Sequence, residues 1–174
     1  KAVYGELGAP ANGLFSDQVF AQVKLGPRER NVAAAKKLLE EAGYPDGFSG
    51  EIDIPESATT QNILEVAQAM WKEAGINIKI NVYDQATMKT RSAQGLTQFG
   101  RSNLTVQAAD PDQAMSNWNT SYGGVMQPND PYIDEIMVKG LSESDPVKRA
   151  QIYKELQEYC WNTYYSIPIV FPKV

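Results

Sequence analysis

At 174 residues the chain is long enough to bury one hydrophobic core, so we expect a single domain over 1–174. Apolar residues make up 43% and charged residues 21%, which is ordinary globular usage and argues against a disordered chain. The net charge of -5 is spread without long basic runs, so nucleic acid is not an expected partner. No apolar run approaches the roughly 20 residues of a membrane span.

The chain contains no histidine and one cysteine, Cys160. The usual general base, the usual zinc ligand and every Ser-His or Cys-His arrangement are therefore missing. A single cysteine cannot form an internal disulfide, and its position on a helical stripe predicts a buried thiol. We expect no metal, no cofactor and no enzymatic activity. A carboxylate-based hydrolase using Asp110, Asp112 and Glu56 stays open as an alternative.

The first half of the chain predicts a strand-helix-strand unit. A helix begins after Asn31 and closes at Gly43, and the turn YPDGF leads into a short strand, EIDIP. A second helix stops at Gly75, and INIKINVY then alternates isoleucine with polar residues as a strand. This order indicates parallel strands and an α/β class. The predicted inward residues are Val32, Ala35, Leu38, Leu39, Ala42, Ile63, Leu64, Ala67, Met70, Trp71 and Ala74 on the helices and Ile76, Ile78, Ile80 and Val82 on the strand.

Three Asp-Pro steps occur in the second half of the chain. A short helix over 86–94 and a strand over 99–106 come first, and then Asp110, Asp130 and Asp145 each precede a proline and a helical pattern. Aspartate caps a helix and proline fits its first turn, so three helices are predicted, with Asp112 favourably placed near one N-terminus. The terminal SIPIVFP predicts a short or edge strand. The predicted inward residues are Ile133, Ile136, Met137, Gly140, Leu141, Val147, Ala150, Tyr153, Leu156 and Cys160.

Ligands of open α/β sheets bind beyond the carboxyl ends of the strands. Three loops follow predicted strands here: PESATT, YDQ and QAADPD. Their polar and aromatic residues, with a nearby tryptophan, are the candidates for binding: Glu56, Ser57, Tyr83, Gln85, Asn103, Gln107, Asp110 and Trp118. The alternative for the first four is an ordinary solvated loop, and for Asp110 a helix cap.

Five segments occur together in one order: AAAKKLLEEAGYPDGF, MWKEAGINIKI, the Asp-Pro-Asp step, NDPYIDEIMVKG and DPVKRAQIYKELQEYCWNTYYSIPIVF. In this order and spacing the chain resembles the C-terminal lobe of extracytoplasmic solute-binding proteins of the dipeptide, oligopeptide and nickel type, family 5 of the ABC importers. The resemblance implies a mixed, partly parallel sheet flanked by helices, as one lobe of a type II periplasmic-binding-protein, or Venus-flytrap, fold. It also implies that the chain is a fragment of a longer protein.

The resemblance further implies a transport function. The protein would clamp a small solute between this lobe and an N-terminal lobe of the same protein, and would deliver it to an ABC permease in the membrane. It would work in the periplasm or anchored by lipid at the cell surface. The isolated lobe would bind weakly, because it supplies only part of the contacts. The alternative is the ligand-sensing lobe of a regulatory protein that reuses the same module.

One position departs from the peptide-binding pattern of this family. That pattern resembles GW-x-x-D-x-x-DPD, and its first aspartate pairs with the α-ammonium of a peptide. Here Gln107 stands at the aspartate position and Leu104 at the tryptophan position. An amide supplies no counter-charge to a desolvated ammonium. A modified peptide, an opine or a sugar-like solute is therefore predicted, and direct nickel ligation is not expected without histidine.

Overall fold

The computed structural model describes residues 5–6, 8–100, 109–115 and 129–172. Clustering of the backbone divides the chain into two compact units. Unit 1 consists of Lys1–Gly5 and Glu29–Asn103, and unit 2 of Glu6–Arg28 and Leu104–Val174. The single domain expected over 1–174 stays a prediction.

The elements alternate strands and helices in the first half of the chain and are mainly helical in the second. In chain order they are β1 (Gly8–Pro10), α1 (Val32–Glu41), β2 (Phe48–Pro55), α2 (Ala58–Glu73), β3 (Ile76–Tyr83), α3 (Gln85–Ala93), β4 (Phe99–Gly100), α4 (Pro111–Met115), α5 (Pro131–Ser142), α6 (Pro146–Asn162) and β5 (Val170–Pro172). Among the described residues, no helix is both long enough and apolar enough to cross a membrane.

Unit 1 contains a three-stranded parallel sheet in the order β3-β2-β4. β2 and β3 pair along their whole length, from Phe48 opposite Ile76 to Pro55 opposite Tyr83. The predicted strand-helix-strand unit with parallel strands is confirmed. β4 adds two residues beside β2, and positions 101–106 of the strand predicted there lie outside the described residues.

Two glycines meet where β2 and β3 begin. Gly47 and Gly75 have φ values of +82° and +92°, which side chains other than glycine rarely adopt. A Cβ atom on Gly47 would lie 1.9 Å from the carbonyl oxygen of Gly75. That oxygen accepts the hydrogen bond of Phe48 N at 3.2 Å, so the close approach starts the pairing of the two strands.

The core of unit 1 lies between the sheet and α2. Its buried residues are Ile52, Ile54, Leu64 and Ile78, against which Phe48, Trp71, Ile76 and Ile80 pack. The core position predicted for Trp71 is confirmed. Leu38, Ala42, Met70 and Val82 were predicted to point inward and are instead exposed. The exposed fractions of Leu38, Met70 and Val82 are 64%, 43% and 45%. Amphipathic spacing shows that a face can be buried, whereas the contact that buries it depends on the tertiary packing.

In its described residues, unit 2 combines a two-stranded antiparallel sheet with three helices. β1 and β5 pair from Gly8 opposite Pro172 to Pro10 opposite Val170, so the terminal strand is short as predicted. Its core consists of Leu14, Phe15, Val19, Ala114, Met115, Ile133, Ile136, Met137, Tyr153, Leu156, Cys160 and Trp161. Cys160 is a free, buried thiol, as predicted. Burial raises its pKa to about 12, so the thiol stays protonated at neutral pH.

Two predicted inward residues of unit 2 lie at the surface. Leu141, near the C-terminus of α5, is 46% exposed, and Val147, in the first turn of α6, is 78% exposed. Both lie near helix ends. There the apolar spacing continues in the sequence, but no described residue covers the side chain. A buried amide performs a role that periodicity does not reveal: Gln157 accepts from Val23 N at 3.2 Å and donates to Ala21 O at 2.8 Å. These two hydrogen bonds attach the segment that contains Ala21 and Val23 to α6.

Candidate functional site

The carboxyl ends of β2 and β3 form one edge of the unit 1 sheet. Pro55 and Tyr83 are partners in the register, so the loops that follow them begin side by side. Glu56 N donates a hydrogen bond to Tyr83 O at 2.9 Å and ties the two loops together. The structure thus brings four sequence-predicted residues to one edge of the sheet: Glu56, Ser57, Tyr83 and Gln85. Their binding of a solute stays a prediction.

Each of these loops contains the cap of the helix that follows it. Ser57 Oγ accepts from Thr60 N at 3.3 Å at the start of α2. Asp84 Oδ1 accepts from Ala86 N and Thr87 N at 3.0 Å each, and its Oδ2 accepts from the Thr87 hydroxyl at 2.6 Å. The hydroxyl and backbone donors lower the pKa of Asp84, which therefore stays ionised. The Ser57 hydroxyl accepts in this cap and retains a proton that it can donate to a ligand.

A buried carboxylate lies below the same edge. Asp53 is 2% exposed and sits on the central strand β2. Its Oδ2 accepts from Arg91 Nε at 3.0 Å and from Thr97 Oγ1 at 3.2 Å, and its Oδ1 accepts from Asn81 Nδ2 at 3.1 Å. A buried charge is costly unless it is paired and hydrogen-bonded, and here it is both.

Arg91, in the last turn of α3, also contacts Tyr83. Its guanidinium carbon lies 4.6 Å from the centroid of the Tyr83 ring. Sequence analysis missed both Asp53 and Arg91. The signal in the sequence was an aspartate between two isoleucines in a predicted strand. A polar side chain on a central strand has no direct access to water, so it needs a partner within the protein.

In unit 2, Asp110 caps α4 and pairs with an arginine. Its Oδ1 accepts from Asp112 N at 2.9 Å, so the predicted capping role is confirmed. Arg149 donates to both carboxylate oxygens, at 2.9 Å each. The guanidinium lowers the pKa of Asp110, and its charge is thereby compensated within the protein. Sequence analysis missed Arg149, because nothing local connects two residues 39 positions apart.

Unlike Asp110, Asp112 forms no ion pair within the described part of the chain. Burial and the nearby Asp110 charge raise the pKa of Asp112. Within the described residues, its Oδ1 is buried without a hydrogen-bond partner. Its predicted place in the first turn of α4 is confirmed. The favourable helix position is outweighed by desolvation and by the adjacent like charge.

Three sequence-predicted binding residues, Asn103, Gln107 and Trp118, lie outside the described residues. Their roles stay predictions. In the parts of the chain that the structure describes, no group of three or more acidic, cysteine or histidine residues is arranged to hold a metal ion.

The sequence matches one family of known proteins over most of its length. The family model described as "Bacterial extracellular solute-binding proteins, family 5 Middle" matches residues 1–125. The chain belongs to this family. The resemblance drawn from its five segments is confirmed. It is a family of solute-binding proteins and not of enzymes.

Individual relatives agree with the family and with the fold. The chain is 27% identical over 186 residues to the glutathione-binding protein GsiB of Salmonella paratyphi A, covering 100% of this chain and 36% of GsiB. The structure of HbpA2 from Haemophilus parasuis matches with a TM-score of 0.87 at 26% identity, over 98% of this chain and 36% of that one. A dipeptide binding protein from Pseudoalteromonas sp. SM9913, in complex with Met-Leu, matches with a TM-score of 0.86 at 24% identity, over the same shares of the two chains. The predicted α/β fold class is confirmed, and the chain spans 36% of the length of these relatives.

Proposed function

We propose that this chain is part of the substrate-binding component of an ABC importer, which captures a small solute outside the cytoplasm and delivers it to a membrane permease. The observation that carries the proposal is the carboxyl edge of β2 and β3, where Glu56, Ser57 and Tyr83 adjoin in a member of a solute-binding family. Capture requires an orienting surface and involves no bond-breaking step. The site of action is the periplasm or, with a lipid anchor, the cell surface.

The edge offers chemistry that suits a hydrogen-bonding solute. Ser57 supplies a hydroxyl, Gln85 an amide, Glu56 a carboxylate and Tyr83 a ring with a phenolic hydroxyl. A few such groups held on a rigid frame fix the orientation of a ligand, while apolar contact and removal of water provide affinity. Closure of a second lobe over this edge would complete the cleft, as in other binding proteins that close around a hinge.

Peptide-sized solutes are the proposed substrate class. GsiB is a glutathione-binding protein, and the Pseudoalteromonas protein was solved with the dipeptide Met-Leu. Gln107 refines this proposal, because an amide provides no counter-charge for a free α-ammonium. We therefore favour a modified peptide, an opine or a sugar-like solute over an ordinary peptide.

The first test is mass spectrometry of small molecules released by denaturing the gently purified full-length parent protein, with this chain alone as the control. A retained small solute supports capture, and its structure decides whether a free α-ammonium is present. NMR titration with glutathione, Met-Leu and N-acetyl-Met-Leu, each up to about 10 mM, detects weak binding by an incomplete cleft. Binding should perturb the signals of Tyr83 and its neighbours. No retained solute and no binding of any probe would contradict the proposal.

A matched pair of variants localises the contact. Glu56→Gln removes a charge at the predicted site, and Glu40→Gln removes the same charge on the exposed surface of α1. Glu56→Gln should change the Kd of the bound probe by about tenfold, whereas Glu40→Gln should leave it unchanged. Equal Kd values for both variants and the wild type would exclude Glu56 from the site.

A further inference from the structure

A single arginine contacts several of the segments around the carboxyl ends of β2 and β3. Arg91 is 28% exposed and its partner Asp53 is 3% exposed, measured on their side chains. The ion pair is therefore largely shielded from solvent. Opposite charges attract each other more strongly in such a partly buried position than at the surface.

The first connection of Arg91 leads to strand β4. Its Nη2 donates to Leu96 O at 3.2 Å, while Thr97 and Arg91 share the same oxygen of Asp53. Gln98 Oε1 then accepts from Glu51 N at 3.1 Å on β2. These contacts hold residues 96–98 beside the central strand β2, immediately before β4 begins at Phe99.

The second connection leads to Tyr83. The Arg91 guanidinium lies over the ring of Tyr83, 4.6 Å from its centroid. Tyr83 is the last residue of β3, and its carbonyl accepts the hydrogen bond of Glu56 N. A flat cation against an aromatic face restricts the tilt of that ring, and such contacts contribute about 0.5–1 kcal/mol at partly exposed sites.

We propose that Arg91 is a positioning residue for the solute site, fixing both the Tyr83 ring and the 96–100 segment from the anchor of Asp53. This inference rests on the proposed function and deepens it. The three contacts suit arginine: Nε donates to Asp53, Nη2 donates to Leu96 O, and the guanidinium carbon lies over the Tyr83 ring. A lysine ammonium is a single point charge and cannot make all three contacts at once.

The test compares Arg91→Lys, Arg91→Gln and Lys89→Gln. Lys89 lies exposed on the same helix, so its variant controls for the loss of a positive charge. The first readout needs no ligand. NMR of isotope-labelled tyrosine rings, with Tyr83→Phe for assignment, follows the Tyr83 signal, and amide hydrogen exchange follows residues 96–100. Thermal unfolding shows that each variant is folded.

We expect Arg91→Gln to shift the Tyr83 ring signal and to speed exchange at 96–100 by about tenfold or more. Arg91→Lys should retain the ion pair but not the ring contact, and so should shift the Tyr83 signal with a smaller change in exchange. Lys89→Gln should resemble the wild type in both readouts. A folded Arg91→Gln variant with wild-type Tyr83 signal and exchange would overturn the proposal.

The second readout is the affinity for the probe that the wild type binds most tightly among glutathione, Met-Leu and N-acetyl-Met-Leu. Arg91→Gln should raise its Kd by about tenfold, with Arg91→Lys in between. An unchanged Kd in a variant whose Tyr83 signal has shifted would overturn the role in binding. If the wild type binds none of the probes, the proposed function fails, while the ring and exchange measurements still decide whether Arg91 holds these segments.

Discussion

Arg149 and Asp110 form a bidentate ion pair in unit 2. Nη1 lies 2.9 Å from Oδ2, and Nη2 lies 2.9 Å from Oδ1. The Nε of the same arginine donates to Gly140 O at 3.0 Å. One side chain of α6 therefore holds the beginning of α4 and the end of α5. Parallel hydrogen bonds of this kind are among the stronger ones in proteins because both donor and acceptor are charged.

Replacing Asp110 with Asn should destabilise the protein at neutral pH. The folded-state pKa of Asp110 is lowered, so its contribution is present above the unfolded pKa of about 3.9 and is lost as pH falls through the folded value. The side chain is 43% exposed, so screening limits the loss to about 1 kcal/mol. Urea unfolding of Asp110→Asn and wild type should differ at about pH 7 and converge near about pH 2. A constant difference at both pH values would contradict the charge argument.

Replacing Asp112 with Asn should have the opposite sign. The folded-state pKa of Asp112 is raised, so its ionised form costs stability at neutral pH, and that cost disappears as pH falls through the raised value. Asp112→Asn should raise the Tm at about pH 7 by roughly 2 °C and leave it near the wild-type value at about pH 3. Calorimetry measures the Tm of the variant and of the wild type at each pH. The two variants lose the same charge two residues apart, so a lower Tm for both would refute the distinction between their environments.

Gly47→Ala should be strongly destabilising, because the new Cβ would meet the backbone of Gly75. The atom would lie 1.9 Å from the Gly75 carbonyl oxygen, and backbone cannot move aside cheaply. We expect a loss of about 3 kcal/mol or more in the free energy of unfolding, measured by urea denaturation. Chemical shifts of Phe48 and Ile76 should report the disturbed start of the two strands.

Gly43→Ala is the matched control for that variant. Gly43 has a similar φ of +87°, but a Cβ there would have no atom within 4 Å. Its loss should be limited to backbone strain, about 1 kcal/mol. Equal losses at the two glycines would show that conformation alone, and not the contact with Gly75, accounts for the effect.

Gln107→Asp should change which solutes bind. A carboxylate at this position supplies a counter-charge for an α-ammonium, so Met-Leu should bind about tenfold more tightly, whereas N-acetyl-Met-Leu should bind more weakly. Titration followed by NMR or calorimetry gives the ratio of the two Kd values. Gln113→Asp, six residues further along, tests whether negative charge alone favours the cation. A ratio unchanged by Gln107→Asp would exclude Gln107 from contact with the amino terminus of the solute.

Local hydrogen-bonding chemistry made much of this protein predictable from sequence. Asp110, Asp130 and Asp145 were recognised as helix caps because a carboxylate and a following proline meet the needs of a helix start within a few residues. Gly43 and Gly75 were recognised as helix ends for the same kind of reason. Two strands around a helix with short connections then left parallel pairing as the outcome. The order of the segments was sufficient to indicate the family.

Which side chains become buried, and which charges meet, was decided by the tertiary structure. Leu38 and Val147 fit their helical stripes in sequence, yet among the described residues no partner covers either side chain enough to bury it. Arg91 lies 38 residues from Asp53, and Arg149 lies 39 from Asp110. No local rule selects these pairs, because an ion pair depends on distance in space and on the burial that makes pairing necessary. The sequence alone determined the capped helix starts and the glycines that follow two of the helices, and only the packing of the elements decided how the carboxyl ends of β2 and β3 are held.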